Sequence, residues 1–472
     1  MKKFDLIVIG SGPAGEKAAV KAAYFGHKVA LIEKEAKFGG AGVQTGTLPS
    51  KTLKETALYF SGLYSKGVYS IDHQFSRQTG VTDFLYRKDV VTDVVGTEVK
   101  ENILNHMITL FKGEAQFMDD HVVKVSGHLE ENIYGEKFLI ATGSYPFRPE
   151  NIPFDGKRVH DSDTILNLEK FPKSLCVLGA GVIGCEYSTI YGAMGVKVFL
   201  VNNSNKILPF LDHELSEALV EQMSKQNIEI LFDTSVEKFT VPKDESEPLK
   251  IKLKSGETLN VDMFLFAAGR SGNIKNLKPE NAGVKTGKRE TILVNEKYQT
   301  NIPHIFAVGD VIGFPALAST SMDQGRIAVA HMFKTGDLEE LTTVFPYGIY
   351  TVPEVSMVGK SEQECEKEEI EYVVGYSYYR DTARGKIAGS GDDGFMKILF
   401  EKNTKVILGV HIIGRIATEI IHYGLSIVKD QKTVDQVIST VFNYPTLHDL
   451  YKYACYDGLS NLAGKKLKKS SN

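Results

Sequence analysis

A chain of 472 residues is too long for one hydrophobic core and points to three or four domains, at roughly 100–200 residues each. Its composition, 42% apolar and 24% charged, excludes collagen-like and disordered classes. With 55 basic and 59 acidic residues the net charge is −4, so nothing asks for nucleic acid as a partner. The basic cluster Lys465, Lys466, Lys468 and Lys469 reads as a solvated terminus.

The first apolar run, Leu6 to Ile9, stops at Gly10 and reads as a buried strand rather than a signal peptide. No other stretch approaches the ~18 uninterrupted apolar residues of a membrane helix, so no membrane association and a cytoplasmic location are expected. Residues 4–34 then follow one design: strand (FDLIVIG), glycine turn (GSGPAG), helix (EKAAVKAAYFG), second strand (KVALIEK). Residues 174–202 repeat it as SLCVLG, GAGVIG, CEYSTIYGAMG and VKVFLVN. A lone G-x-G-x-x-G is weak evidence, but both matches sit between a strand and a helix, which predicts two dinucleotide-binding units.

The spacing has a physical reason. Gly10 and Gly179 permit a tight turn, Gly12 and Gly181 let the backbone approach a pyrophosphate, and Gly15 and Gly184 let the helix pack on the sheet. The helix start, at Pro13-Ala14 or Val182-Ile183, presents unpaired N–H groups to phosphate, Pro13 itself supplying none but presetting the helical φ. The first unit ends its second strand in Glu33-Lys34, where a carboxylate can accept from both ribose hydroxyls. The second ends in Asn202 and Asn203, which would not repel a ribose 2′-phosphate, and Lys206 could attract one. That site suits both NAD(H) and NADP(H); alternatively, the two asparagines simply make a turn.

Further on, VDMFLFAAGRSGN (261–273) and HIFAVGDV (304–311) read as strands running into glycine, and FPALASTSMDQGRIAVAHMF (314–333) as an amphipathic helix. From about Thr343 alternating strands (GIYTVPEV, GFMKILFE, ILGVHIIG) and helices (ATEIIHYGLSIVKD) suggest a separate α+β domain. The four cysteines, Cys176, Cys185, Cys365 and Cys455, form no C-x-x-C pair and read as buried structural thiols; no metal site is expected.

The ordered motifs GSGPAG, Glu33, GGAGVQTGTLPSK, IATGS, GAGVIGCEY, AAGR, FAVGDV, TVPEVSMVGK and FNYPT resemble the FAD-dependent pyridine nucleotide–disulfide oxidoreductases over residues 4–463. Within that family, GTLPSK, VIGCEYSTI, LDHELS, GDVIGFPALAS and FNYPTLHDLYKYACYDGLSNL are similar to the branch that exchanges hydride between nicotinamide nucleotides. The resemblance implies an α/β fold with two Rossmann-like domains and a C-terminal α+β dimerisation domain. The expected division is FAD-binding 1–148, NAD(P)-binding 149–272, FAD-binding again 273–342 and dimerisation 343–472, the last implying a homodimer or higher homo-oligomer. It also implies FAD as cofactor and small nucleotides as substrates, with Gly40, Thr47, Ala141, Thr142, Gly143, Gly269, Arg270 and Gly309 among the nucleotide-binding positions.

By the same resemblance Lys51 lies near flavin N5, paired with Glu186, and Asp310 accepts from the ribityl chain. The helix from about Ala318 points its N-terminus at the pyrimidine edge, where a positive dipole stabilises reduced flavin. Disulfide-reducing members carry a C-x-x-x-x-C pair where this chain has Gly42 and Thr47, and neither residue can replace a thiolate. Their C-terminal H-P-T-x-x-E base reads here Tyr444-Pro445-Thr446-Leu447-His448-Asp449; tyrosine, with an ordinary pKa of about 10, is a poor base, and His448 is expected at the surface. The branch also has an arginine where Ser204 stands, which weakens the expected grip on a 2′-phosphate. The expectation is FAD-dependent hydride transfer from NADPH to NAD⁺ by a ping-pong route. Two alternatives stay open: an NAD(P)H diaphorase passing electrons to quinones, and a non-catalytic flavoprotein sensor.

Overall fold

A computed structural model describes residues 1–64, 80–128, 130–337, 340–389 and 394–464, so the basic tail lies outside the described residues. The chain opens with β1 (Lys2–Ile9), α1 (Pro13–Tyr24), β2 (Val29–Glu33), α2 (Gly40–Gln44), α3 (Thr47–Ser61) and α4 (Val81–Asn105). It continues through β3 (Thr109–Phe117), β4 (Val122–Gly127), β5 (Glu130–Ile140) and β6 (Ser144–Pro146). β1 lies between β2 and β5, parallel to both, while β4 returns antiparallel between β3 and β5. Leu6, Ile7 and Val8 are fully buried, each worth about 1.5–3 kcal/mol relative to exposure.

β7 (Val159–Asp161), β8 (Ser174–Leu178), α5 (Val182–Ala193), β9 (Lys197–Val201), α6 (His213–Ser224) and β10 (Ile228–Leu231) begin a second unit. A meander of β11 (Val236–Thr240), β12 (Leu249–Leu253) and β13 (Thr258–Val261) precedes β14 (Met263–Phe266). The parallel order is β10-β9-β8-β14-β7, with the second glycine turn at the carboxyl end of β8, as the first stands at the carboxyl end of β1. β15 (Arg270–Gly272) pairs antiparallel with β6, so a two-stranded ribbon carries the chain out of the first unit and back. β16 (Ile305–Ala307) then rejoins β5 in the first sheet, and α7 (Ala318–Phe333) packs on α1. That contact requires Gly325, because a Cβ there would lie 2.3 Å from the Ala14 carbonyl oxygen.

The last unit is a five-stranded antiparallel sheet of β17 (Tyr347–Ile349), β18 (Glu354–Gly359), β19 (Tyr372–Tyr378), β20 (Phe395–Glu401) and β21 (Ile407–Gly414) in the order β17-β18-β21-β20-β19. Its helices are α8 (Glu362–Lys367), α9 (Ala383–Ala388), α10 (Ala417–Lys429), α11 (Val434–Ser439) and α12 (Asp449–Leu462). One apolar core joins this unit to the first two: Ile349, Val355, Met357 and Ile413 pack with Leu53 of α3 and with Tyr187, Tyr191 and Leu215 of the second unit.

Two sequence readings change. The run 314–333 is helical only from Ala318, because Ala316 has a positive φ of 48°, outside the right-handed helical region. GIYTVPEV is not one strand: Pro353 has no N–H for a ladder, and residues 350–353 form a connector between β17 and β18.

Candidate functional site

The first glycine turn is held by contact rather than by capping. A Cβ on Gly15 would lie 2.0 Å from the Gly10 carbonyl oxygen, so the start of α1 sits directly on the turn. At Gly12 the nearest heavy atom to a Cβ is Gly40 Cα at 3.8 Å, which leaves that side open. Gly12 is the N-cap of α1 and supplies no side-chain acceptor, so the first helical N–H groups remain for a ligand. Glu33 is buried and accepts from the Ser11 N–H (2.9 Å), the Ser11 hydroxyl (2.6 Å) and the Glu35 N–H (2.8 Å). Both Ser11 bonds go to Oε2 and the Glu35 bond to Oε1, so acceptor capacity is left on Oε1.

Gly10, Ser11, Gly12, Glu33 and Glu35 border a cavity of about 1650 Å³ that Gly15 does not reach, also lined by Lys34, Gly40, Thr47, Lys51, Ala141, Thr142, Gly143, Gly269, Arg270, Gly309, Asp310 and Ala318. The Thr142 hydroxyl is buried with no partner among the described residues, and the N-cap of α7, Leu317, offers no side-chain acceptor to that helix. An open glycine turn, a ribose-type acid, an orphaned hydroxyl and two uncapped helix starts form a donor and acceptor set that fits FAD.

Lys51 Nζ lies 2.7 Å from both Glu186 carboxylate oxygens, although the two residues come from α3 and α5 of different units. Glu186 is buried, and its Oε1 also accepts from the Tyr350 N–H at 3.0 Å. Burial raises the Tyr350 phenol above its ordinary value, which keeps it neutral. Asp310 accepts from the Ser144 hydroxyl (2.9 Å), and that hydroxyl accepts from Arg270 Nε (2.8 Å). Arg270 also donates to the Ser144 carbonyl (2.8 Å) and the Ser162 hydroxyl (3.3 Å), so its guanidinium braces the β6–β15 ribbon beside the cavity. Burial raises the Asp163 carboxyl, with Arg270 opposing the shift.

The second turn repeats the contact logic: a Cβ on Gly184 would lie 1.8 Å from the Gly179 carbonyl oxygen, whereas one on Gly181 meets nothing within 4 Å. Val182, Ile183 and Glu186 reach the cavity wall; Gly179, Gly181, Gly184, Asn202, Asn203 and Lys206 do not line it. Asn202 is buried and its amide donates to the Ser204 carbonyl, the Ser204 hydroxyl and the Lys206 carbonyl at 3.2, 3.0 and 2.9 Å. Its amide nitrogen is thus engaged by the following turn, and its Oδ1 accepts from the Ala180 N–H at 3.4 Å. Asn203 is exposed, and Lys206 Nζ lies 3.0 Å from His213 Nε2.

All four cysteines are buried and none lines the cavity. Burial pushes the Cys365 thiol up to about 11 and the Cys455 thiol up to about 12, the opposite of activation. His448 is not a solvated surface residue: it packs among Tyr423, Phe442 and Tyr451, and burial lowers its pKa. Asp120, His121 and His304 bring ligand atoms within 4.8 Å of one another. The two imidazoles are stacked with 4.1 Å between centroids and planes 4° apart, so one ion cannot lie in both ring planes. The carboxylates of Asp212, Glu214 and Glu362 converge instead on the buried ammonium of Lys397.

The sequence reading named Lys51, Glu186 and Asp310 but missed Ser144, Asp163 and Tyr350. Tyr350 sat inside the quoted GIYTVPEV run, yet no local pattern connects it with Glu186.

Residues 4–325 match the pyridine nucleotide-disulphide oxidoreductase family and residues 345–455 its dimerisation domain, so the chain belongs to that family. It is a flavin-dependent pyridine nucleotide oxidoreductase, and the second match points to a homo-oligomer. The chain is similar to the soluble pyridine nucleotide transhydrogenase of Mycobacterium tuberculosis, 38% identical with 98% of each chain covered. It is also similar to that of an Enterobacter species, 40% identical with 97% of this chain and 98% of the relative covered. Among solved structures, the HOCl-induced flavoprotein disulfide reductase RclA from Escherichia coli superposes with a TM-score of 0.84 at 25% identity, covering 95% of this chain and 99% of that one. LpdA from Mycobacterium tuberculosis shares the fold, with a TM-score of 0.88 at 23% identity over 97% of this chain and 99% of that one. Among the described residues no helix is long and apolar enough to cross a membrane.

Proposed function

We propose that this chain exchanges hydride between NADPH and NAD⁺, with the two nucleotides using one site in turn. Bound FAD supplies the two-electron chemistry. Gly12 and the start of α1 bind its pyrophosphate, Glu33 accepts from the adenosine ribose, and Asp310, aligned by Ser144, accepts from the ribityl hydroxyls. Lys51, held by Glu186, places a positive charge beside the reacting ring, and the α7 N-terminus adds its dipole at the far edge. Gly181 and the start of α5 bind the nicotinamide nucleotide, while Asn203 and Lys206 meet its ribose.

The observation that carries this reading is the Lys51–Glu186 pair standing on a cavity that no cysteine lines. Gly42 and Thr47 border that cavity where a disulfide-reducing member needs thiolates. With no thiol and no base required, ping-pong kinetics are expected. The test is NADPH with thio-NAD⁺ under nitrogen on FAD-loaded protein. Rapid thio-NADH formation without quinone or disulfide supports the reading; bleached flavin without turnover sinks it.

A diaphorase reading draws on one feature: Phe210 and Phe314, 45% and 79% exposed, line the cavity together with Tyr347 and offer flat apolar surface to an aromatic acceptor. Quinone turnover exceeding thio-NAD⁺ turnover would favour it.

A further inference from the structure

The connector between β17 and β18 enters the site from the C-terminal unit. The Tyr350 N–H donates to Glu186 Oε1 (3.0 Å) and the Val352 N–H to Thr189 Oγ1 (3.1 Å). Gln226 Nε2 donates to the Val352 carbonyl (2.6 Å). These bonds fix the backbone of 350–352 against α5 and the α6–β10 turn without using any side chain of the connector. The Tyr350 ring is thereby delivered to the cavity wall, with Lys51 Nζ 4.8 Å and Lys54 Nζ 5.8 Å from its centroid.

A cation within about 6 Å of an aromatic face is attracted by the ring quadrupole. The two lysines differ in what else they meet. Lys54 is buried and bonded to Glu354 and, at 3.0 Å, to Glu55, so its charge is met by two carboxylates. Lys51 borders the cavity with its side chain 23% exposed, and Glu186 is its ion-pair partner among the described residues. An aromatic face can hold such an ammonium without adding a negative charge that would cancel its field. A second carboxylate could not do so.

We propose that Tyr350 is a positioning residue for the Lys51–Glu186 pair: its ring seats the Lys51 ammonium at the cavity wall while its main-chain N–H fixes the Glu186 carboxylate. The C-terminal unit thus sets where the positive charge stands. Glu186 alone would draw the flexible lysine stem towards the buried carboxylate; the ring adds a second attraction on the cavity side. The inference rests on the reading that Lys51 stands beside the flavin.

The experiment measures the midpoint potential of the bound flavin and its single-turnover bleaching by NADPH. It uses Tyr350→Leu and Tyr350→Phe, each made with Lys51 intact and with Lys51→Met. Tyr350→Leu is expected to lower the potential and slow bleaching on the order of five- to tenfold, the weight of a partly desolvated cation–π contact. Tyr350→Phe, which keeps the ring face, is expected to restore most of both. In the Lys51→Met background, Tyr350→Leu should add nothing. Where the leucine variant does not retain FAD, Tyr350→Met serves in its place. Wild-type behaviour of the ring-less variant overturns the seat. An equal slowing with and without Lys51 overturns it too, because the ring would then act through general structure. If Lys51→Met leaves both readouts unchanged, the reading of Lys51 itself fails, and that failure is visible separately.

Discussion

The two glycine turns share a backbone and differ in what closes them. In the first, Glu33 ends β2 with its carboxylate anchored by Ser11 and Glu35, an arrangement that orients an acceptor while leaving it acceptor capacity. In the second, Asn202 follows β9 with its amide donors engaged by its own loop. Equivalent positions are therefore wired differently: one orients a carboxylate at the cavity, the other ties its amide nitrogen into the loop that follows. Position in a motif predicts place, and hydrogen-bond accounting decides role.

The largest expected effects separate packing glycines from ligand-facing ones. Gly15→Ala and Gly184→Ala force a Cβ onto a carbonyl oxygen and should destabilise by about 3 kcal/mol or more. Gly12→Ala and Gly181→Ala meet only open space or ordinary contact, so they should leave the apoprotein melt in place and weaken FAD and NADPH binding respectively. Thermal melts beside flavin content and NADPH affinity check this, and equal melting losses in all four would break the distinction.

Glu33→Gln comes next. It removes a charged acceptor, worth roughly 1.5–3 kcal/mol, so the FAD dissociation constant should rise at least about tenfold in titrations of apoprotein. An unchanged constant would deny Glu33 its role at the ribose.

At the second turn the two asparagines should part company. Asn202→Ala should cost about 1–3 kcal/mol of stability and leave the ratio of NADPH to NADH KM values unchanged. Asn203→Asp should leave stability unchanged and raise KM for NADPH about fivefold more than for NADH, through roughly 1 kcal/mol of repulsion with a 2′-phosphate. Reversal of that pattern would return the recognition role to Asn202.

The smallest effect is acid sensitivity in the second unit. Burial holds the β7 residue His160 below its ordinary imidazole value. As pH falls below about 6.5, the unfolded chain takes up this proton before the folded one, so stability declines by up to about 1.4 kcal/mol per pH unit. Melts from pH 7.5 to 5.5 should fall less steeply for His160→Gln, and parallel curves would remove this term.

Much of the site was legible because its parts are local. A strand, a glycine turn and a helix within thirty-odd residues carry their own phosphate site, and Gly10, Gly12, Glu33, Gly179 and Gly181 could be named from spacing. Lys51, Glu186 and Asp310 came from motif order, and the cavity brings them together. The misreadings have local causes: the positive φ of Ala316 delays α7, Pro353 splits one expected strand into two, and an aromatic cluster half-buries His448.

The sequence by itself determined which segments become nucleotide turns, which positions tolerate no side chain, and that no cysteine pair stands before the PSK motif. These follow from short-range backbone geometry and from composition. Tertiary structure alone decided that Arg270 braces a ribbon and that Tyr350 meets Lys51 and Glu186. Those contacts join residues more than a hundred positions apart, brought together by a shared apolar core, and no pattern along the chain encodes them.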